Sequence, residues 1–158
     1  MSNPAYTSPV PPMTHAVTSE IVKEIFAEES AAVLYPENGP PEGVKKTRLE
    51  VFQGTRTRVH MLLQEQVPCP YVLPPPEMRS DGKTPLMGPA RTASVERRKA
   101  ALIASIPDTL ILESEKARAQ LPAADMHRDA VHYVQKQYGK ALWAETDRLV
   151  SAAMGGLS

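Results

Sequence analysis

Asp125, Asp129 and His132 are the residues whose types and spacing come nearest to a chemistry. They fall at i, i+4 and i+7, which on a helix stacks two carboxylates and an imidazole along one face. Such donors can hold a divalent metal, but a closed site needs a further ligand from another element, and the sequence shows no such cluster. A solvated polar face is the preferred reading, with His127 a surface histidine off that line. No metal and no cofactor is expected.

Cys69, the single cysteine, lies between Pro68 and Pro70. Nothing nearby in the sequence lowers its pKa, so it reads as a small packed side chain rather than a nucleophile. One cysteine excludes an internal disulfide framework and points to a reducing compartment. There is no glycine-rich phosphate loop, no Gly-x-Ser-x-Gly turn and no His-Glu-x-x-His spacing. The chain is therefore expected not to be an enzyme. Arg91-Thr-Ala-Ser94 places an arginine three residues before a serine at the expected start of a helix. A basophilic kinase can use that spacing, and phosphate at an N-cap is electrostatically favourable; the same residues also make an ordinary loop-to-helix junction.

These residues are set in a chain divided by proline. Pro68 to Pro76 holds five prolines in nine residues, and each fixes φ near −65° and removes a donor, so neither helix nor central strand can run through it. The segment is expected to be extended, with Tyr71, Val72, Leu73, Pro74, Pro75 and Pro76 turned outward as a partner-binding strap. A stiff linker is the plainer reading of the same composition. Fourteen of the sixteen prolines lie at or before Pro89, so the front should be extended with short helices and the back helical. Apolar residues make up 42% of the chain but lean on alanine, with two Phe and one Trp, and the expected core is thin.

The predicted organisation is an extended arm over 1–17, short helical segments over 18–66, the strap over 67–91 and a helical region over 92–158. Thr18 or Ser19 caps a helix whose Ile21, Val22, Ile25, Phe26 and Val33 share a face. Asn38-Gly39 offers left-handed turn positions. Residues 47–66 carry conflicting signals. Thr47-Arg-Leu-Glu50 is a capping-box pattern with Phe52, Val59, Leu62 and Leu63 near one helical face, whereas Gly54, Thr55 and Thr57 suit strands. Helix is favoured, broken near Gly54. Further helices start at Thr92 or Ser94 and at Asp108, and a last one of about 30 residues runs from Pro122 to Met154. Its stripe of Met126, Val131, Val134, Tyr138, Leu142 and Leu149 exceeds what the preceding helices can cover, which makes Tyr138 and Trp143 candidate partner contacts; a packing anchor within the protein is the other reading of Trp143. The predicted fold class is mainly α, with a long C-terminal helix and little or no sheet.

Net charge is zero but segregated. Residues 1–42 hold one Lys against six Glu, 43–99 hold eleven basic against five acidic residues, and the remainder is balanced. The acidic front and basic middle can pair with each other or with two charged partner surfaces. Scattered cations without stacking aromatics speak against nucleic acid. No run approaches transmembrane length and no signal or presequence pattern opens the chain, so a soluble cytoplasmic protein without membrane contact is expected.

Proline-punctuated straps alternating with short helices resemble, in architecture, the small accessory proteins inside ciliary doublet microtubules. The resemblance implies a structural subunit of an axoneme with tubulin as a partner. Other large assemblies, a virion or an organelle complex, fit the same composition. An autonomous helical domain with a metal or ligand site at Asp125, Asp129 and His132 is the contrasting expectation.

Overall fold

The computed structural model describes residues 13–124 and 128–155. The protein is mainly helical, with a long C-terminal helix and little sheet. Five helices are described: α1 (Ser19–Ala31), α2 (Arg48–Gln66), α3 (Gly88–Ser105), α4 (Asp108–Gln120) and α5 (Ala130–Met154). A two-stranded antiparallel ribbon, β1 (Val33–Leu34) and β2 (Val44–Lys45), lies between α1 and α2, with Val33 opposite Lys45 and Leu34 opposite Val44. The chain divides into two compact units. Among the described residues, one is formed by 13–68 with 139–155 and the other by 69–124 with 128–138, so α5 contributes to both.

In the first unit, Thr18 caps α1 by accepting a hydrogen bond from the Ile21 N–H at 3.3 Å. The helix buries Val22 and Ile25 and ends at Ala32, so Val33 belongs to the ribbon and not to the helical face. Its β-branched side chain suits a strand, and Pro36 ahead forbids continuation of the helix. The left-handed position of the connecting turn is Gly43 (φ +83°), rather than Asn38 or Gly39. A Cβ at Gly43 would lie 2.3 Å from Val33 Cγ1 and 2.7 Å from the Leu34 carbonyl, so both the dihedral and the close approach require glycine there.

Over 47–66 the helix prevails without a break at Gly54. The capping box forms in both directions: the Glu50 N–H donates to Thr47 Oγ1 at 3.2 Å and the Thr47 N–H to Glu50 Oε1 at 2.9 Å. The buried stripe runs through Val51, Thr55, Val59 and Leu63, one residue in four, and leaves Phe52 exposed. Thr55 is accommodated because its hydroxyl donates to the Val51 carbonyl at 2.8 Å. Gly54 faces α1: a Cβ there would lie 1.9 Å from Glu29 Oε1. Leu142, Leu149, Val150 and Ala153 of α5 are buried in the same unit.

In the second unit Ile106, Leu110, Tyr133 and Val134 form the core, with Tyr71 and Ile111 among the partly buried residues packed on it. α3 begins at Gly88, earlier than the expected Thr92 or Ser94, because Pro89 in its first turn is pre-set for a helix and loses no internal hydrogen bond. Ser94 is therefore not a cap but the seventh helical residue. Pro107 separates α3 from α4. α5 begins at Ala130 rather than Pro122, which lies in a turn closed by Ala124 N–H donating to the Leu121 carbonyl at 3.0 Å. Asp129 sets the start by accepting from the His132 N–H at 2.7 Å. Among the described residues no helix is long and apolar enough to cross a membrane.

Candidate functional site

The strap has no helix or strand between Val67 and Glu77, yet its backbone is held at named points. The Gln135 side-chain amide donates to the Tyr71 carbonyl at 2.9 Å, and the Arg98 Nε–H donates to the Pro74 carbonyl at 3.0 Å. Prolines cannot donate, so their free carbonyls are the groups through which the rest of the unit can grip them. Of the residues expected to face outward, Val72 (58% exposed), Leu73 (39%), Pro75 and Pro76 do so. Tyr71 does not: its ring packs on the Ile106/Leu110 core, and Pro74 is half-buried. An aromatic in a unit this poor in large apolar groups is drawn inward.

Beyond the prolines the chain folds back in a small hairpin. Met78 bridges Pro85, the Arg79 N–H donates to the Thr84 carbonyl at 2.7 Å, and Gly82 (φ +71°) turns the tip. The Asp81 carboxylate organises that tip by accepting from the Lys83 and Thr84 N–H groups and from the Thr84 hydroxyl, at 2.8, 2.9 and 2.7 Å. Those donors hold its carboxyl below the usual range. At the hairpin's base Glu77 pairs with Arg97 at 2.6 Å. The Arg97 guanidinium paired with it holds the Glu77 carboxyl low, while the buried Ser94 hydroxyl nearby has no hydrogen-bond partner. Met78 and Met87 are exposed, so the strap and hairpin display Val72, Leu73, Met78 and Met87 on a backbone that is already ordered. Between hairpin and α3 lies a cavity of about 430 Å³, lined in part by Met78, Leu86, Arg91, Ser94 and Arg98.

Trp143 packs against side chains of its own unit, and Tyr138 is buried. Trp143 stacks on His60, with ring centroids 3.6 Å apart and planes 6° from parallel, and the Arg56 guanidinium carbon lies 4.2 Å from its ring centroid. Arg56 also forks onto Asp147, with Nε 2.5 Å from Oδ1 and Nη2 3.3 Å from Oδ2. The Thr146 hydroxyl donates its one hydrogen to the Leu142 carbonyl at 2.9 Å, so its oxygen accepts from His60 Nδ1–H at 3.3 Å. Burial, aided by the Arg56 cation, pushes the His60 pKa down. Tyr138 is buried, and burial with Cys69 nearby raises the phenol pKa of both Tyr138 and Tyr71. The His60–Trp143 stack was not legible in the sequence, where His60 carried no spacing signal.

Asp125, Met126 and His127 lie outside the described residues. Asp129 is engaged as a helix cap, and no group of three His, Cys, Asp or Glu side chains that could hold a metal comes together among the described residues. Ser94 is only 2% exposed. Comparisons with protein-family models, with curated proteins and with solved structures return no match.

Proposed function

We propose that the protein is a non-enzymatic structural subunit whose strap and hairpin, residues 69–87, dock on neighbouring proteins of a large assembly. The observation that carries this reading is the combination of order and exposure. The strap is tied through the Tyr71 and Pro74 carbonyls and the Glu77 carboxylate, while Val72, Leu73, Met78 and Met87 stay out in solvent. A segment so preorganised loses little conformational entropy on docking, which leaves more of its apolar contact energy as net affinity. Several shallow contacts along one chain then act together by effective concentration. The setting we propose is the ciliary doublet microtubule, with tubulin as the repeating partner; the alternation of straps and short helices supports it by architectural resemblance.

Replacing Pro74, Pro75 and Pro76 with Gly, Ser and Gly tests the reading in ciliated cells. The expected outcome is a lower share of the tagged chain in the detergent-resistant axonemal fraction, with helical circular dichroism of the purified protein unchanged. Undiminished incorporation would reduce the segment to a spacer.

A further inference from the structure

Ser94 lies on the stretch of α3 that holds the strap and the hairpin base, where Arg97 binds Glu77 and Arg98 binds the Pro74 carbonyl. It is buried, its hydroxyl has no hydrogen-bond partner, it lines one cavity with Glu77, and Arg91, Arg97 and Arg98 sit three before, three after and four after it, the spacings that share a helical face. Arg97 is engaged by Glu77, Arg98 by the Pro74 carbonyl, and Arg91 lines the same cavity as Ser94. We infer that Ser94 is a phosphorylation site and that its phosphate releases the strap from α3.

The transfer itself is ordinary: Ser94 Oγ takes the γ-phosphoryl group of ATP, its proton passes to the kinase's base and ADP leaves. The consequences follow from charge. A phosphoserine adds about −1.5 to −2 charges and three strong acceptors. The Glu77 carboxylate, which lines the same cavity, meets like charge there. Arg97 exchanges one carboxylate for a more highly charged acceptor, and Arg98 exchanges a neutral carbonyl, Pro74, for an ionised one, which makes the stronger hydrogen bond. Both ties that hold the strap to α3 are thereby withdrawn, and the cavity of about 430 Å³ beside Ser94 and Arg91 gives the phosphate room without unfolding the helix. Burial adds a gate: a kinase reaches the hydroxyl only while the strap is lifted, and the phosphate then prevents its return. If residues 69–87 are the docking element, as proposed above, the released strap loses its preorganised face.

The test uses the full chain carrying phosphoserine at position 94, introduced during translation, beside wild type and Ser94→Ala. Amide exchange over residues 72–87 is expected to quicken by about tenfold or more in the phosphorylated chain, with α1, α2 and α4 protected as before. Tryptic cleavage after Arg79 and Lys83 should quicken in parallel, and Ser94→Ala should match wild type. In a second arm, a basophilic serine kinase with Mg·ATP should label Ser94 faster in the Arg98→Ala chain, where one tie is already missing. Unchanged protection over 72–87, loss of protection throughout the chain, or equal labelling of both chains would each overturn the inference. Exchange in the free chain bears on the switch and axonemal incorporation bears on docking, so the two fail separately.

Discussion

His60 is a titratable side chain whose surroundings disfavour its charged form. It is buried, it donates Nδ1–H to Thr146, and it lies flat against Trp143 with the Arg56 cation close by. Its folded pKa is below the unfolded one, so the unfolded chain takes up a proton first as pH falls. Its contribution is complete above the unfolded pKa and is lost on acidification through the folded value. Stability should therefore decline as pH drops below about 6.5, the ordinary histidine value. The emission of Trp143, the sole tryptophan, reports the transition in urea. His60→Phe, which keeps a stacking ring without a titrating group, is expected to flatten that slope between pH 5 and 7, within the ordinary histidine range. A second decline belongs to the carboxylates: Lys46 and Arg58 hold Glu29 low, and Arg56 holds Asp147 low. A depressed carboxylate stabilises above its unfolded pKa and ceases to as pH falls through the folded value, so this loss comes below about pH 4.

Gly54 gives a prediction at the same scale. Alanine in a helix interior is favoured over glycine by about 1 kcal/mol, but here the new Cβ would meet Glu29 Oε1, which Lys46 holds at 3.1 Å while Arg58 engages its other oxygen. Gly54→Ala should lower the urea midpoint in the wild-type background and raise it in a Glu29→Ala background. Additive effects of the two changes would contradict the contact.

Among the elements, those announced by local chemistry were legible in the sequence and those decided by packing were not. Thr18 and the Thr47/Glu50 box marked true helix starts, and Pro107 a true break, because caps and prolines act within a few residues. The α2 stripe was obscured by Thr55, whose polarity is cancelled by its own bond to Val51. Val33 left the helical face because a ribbon partner, Lys45, was available twelve residues on. The start of α5 moved from Pro122 to Ala130, where Asp129 supplies the cap. The strap's extended course could be read from its prolines; that Tyr71 turns inward could not, since only the Ile106/Leu110 core decides it. Loss of one hydrogen bond of a capping box costs about 1 kcal/mol. Thr47→Ala should therefore lower the stability of α2 by about that much, and adding Glu50→Ala should lower it further, because the Glu50 carboxylate satisfies a second donor, the backbone N–H of residue 47, which alanine retains.

At the scale of the whole molecule, the segregation of charge finds an internal use. The acidic α1 meets the basic side of α2 through Glu28 and Glu29 with Arg58, and Glu29 also meets Lys46 from beside the ribbon. The front of the chain thus spends part of its charge on its own middle, while Lys83, Val72 and Leu73 stay exposed and, in the function proposed above, face the partner. Cross-linking mass spectrometry on the native protein in gently lysed ciliated cells tests that claim most directly. Amine-reactive links from Lys83, at the hairpin tip, and from Lys99 on α3 are predicted to land repeatedly on one lattice protein, tubulin in the proposed setting. Links confined to the chain itself, from a protein that sediments as a free monomer, would contradict it.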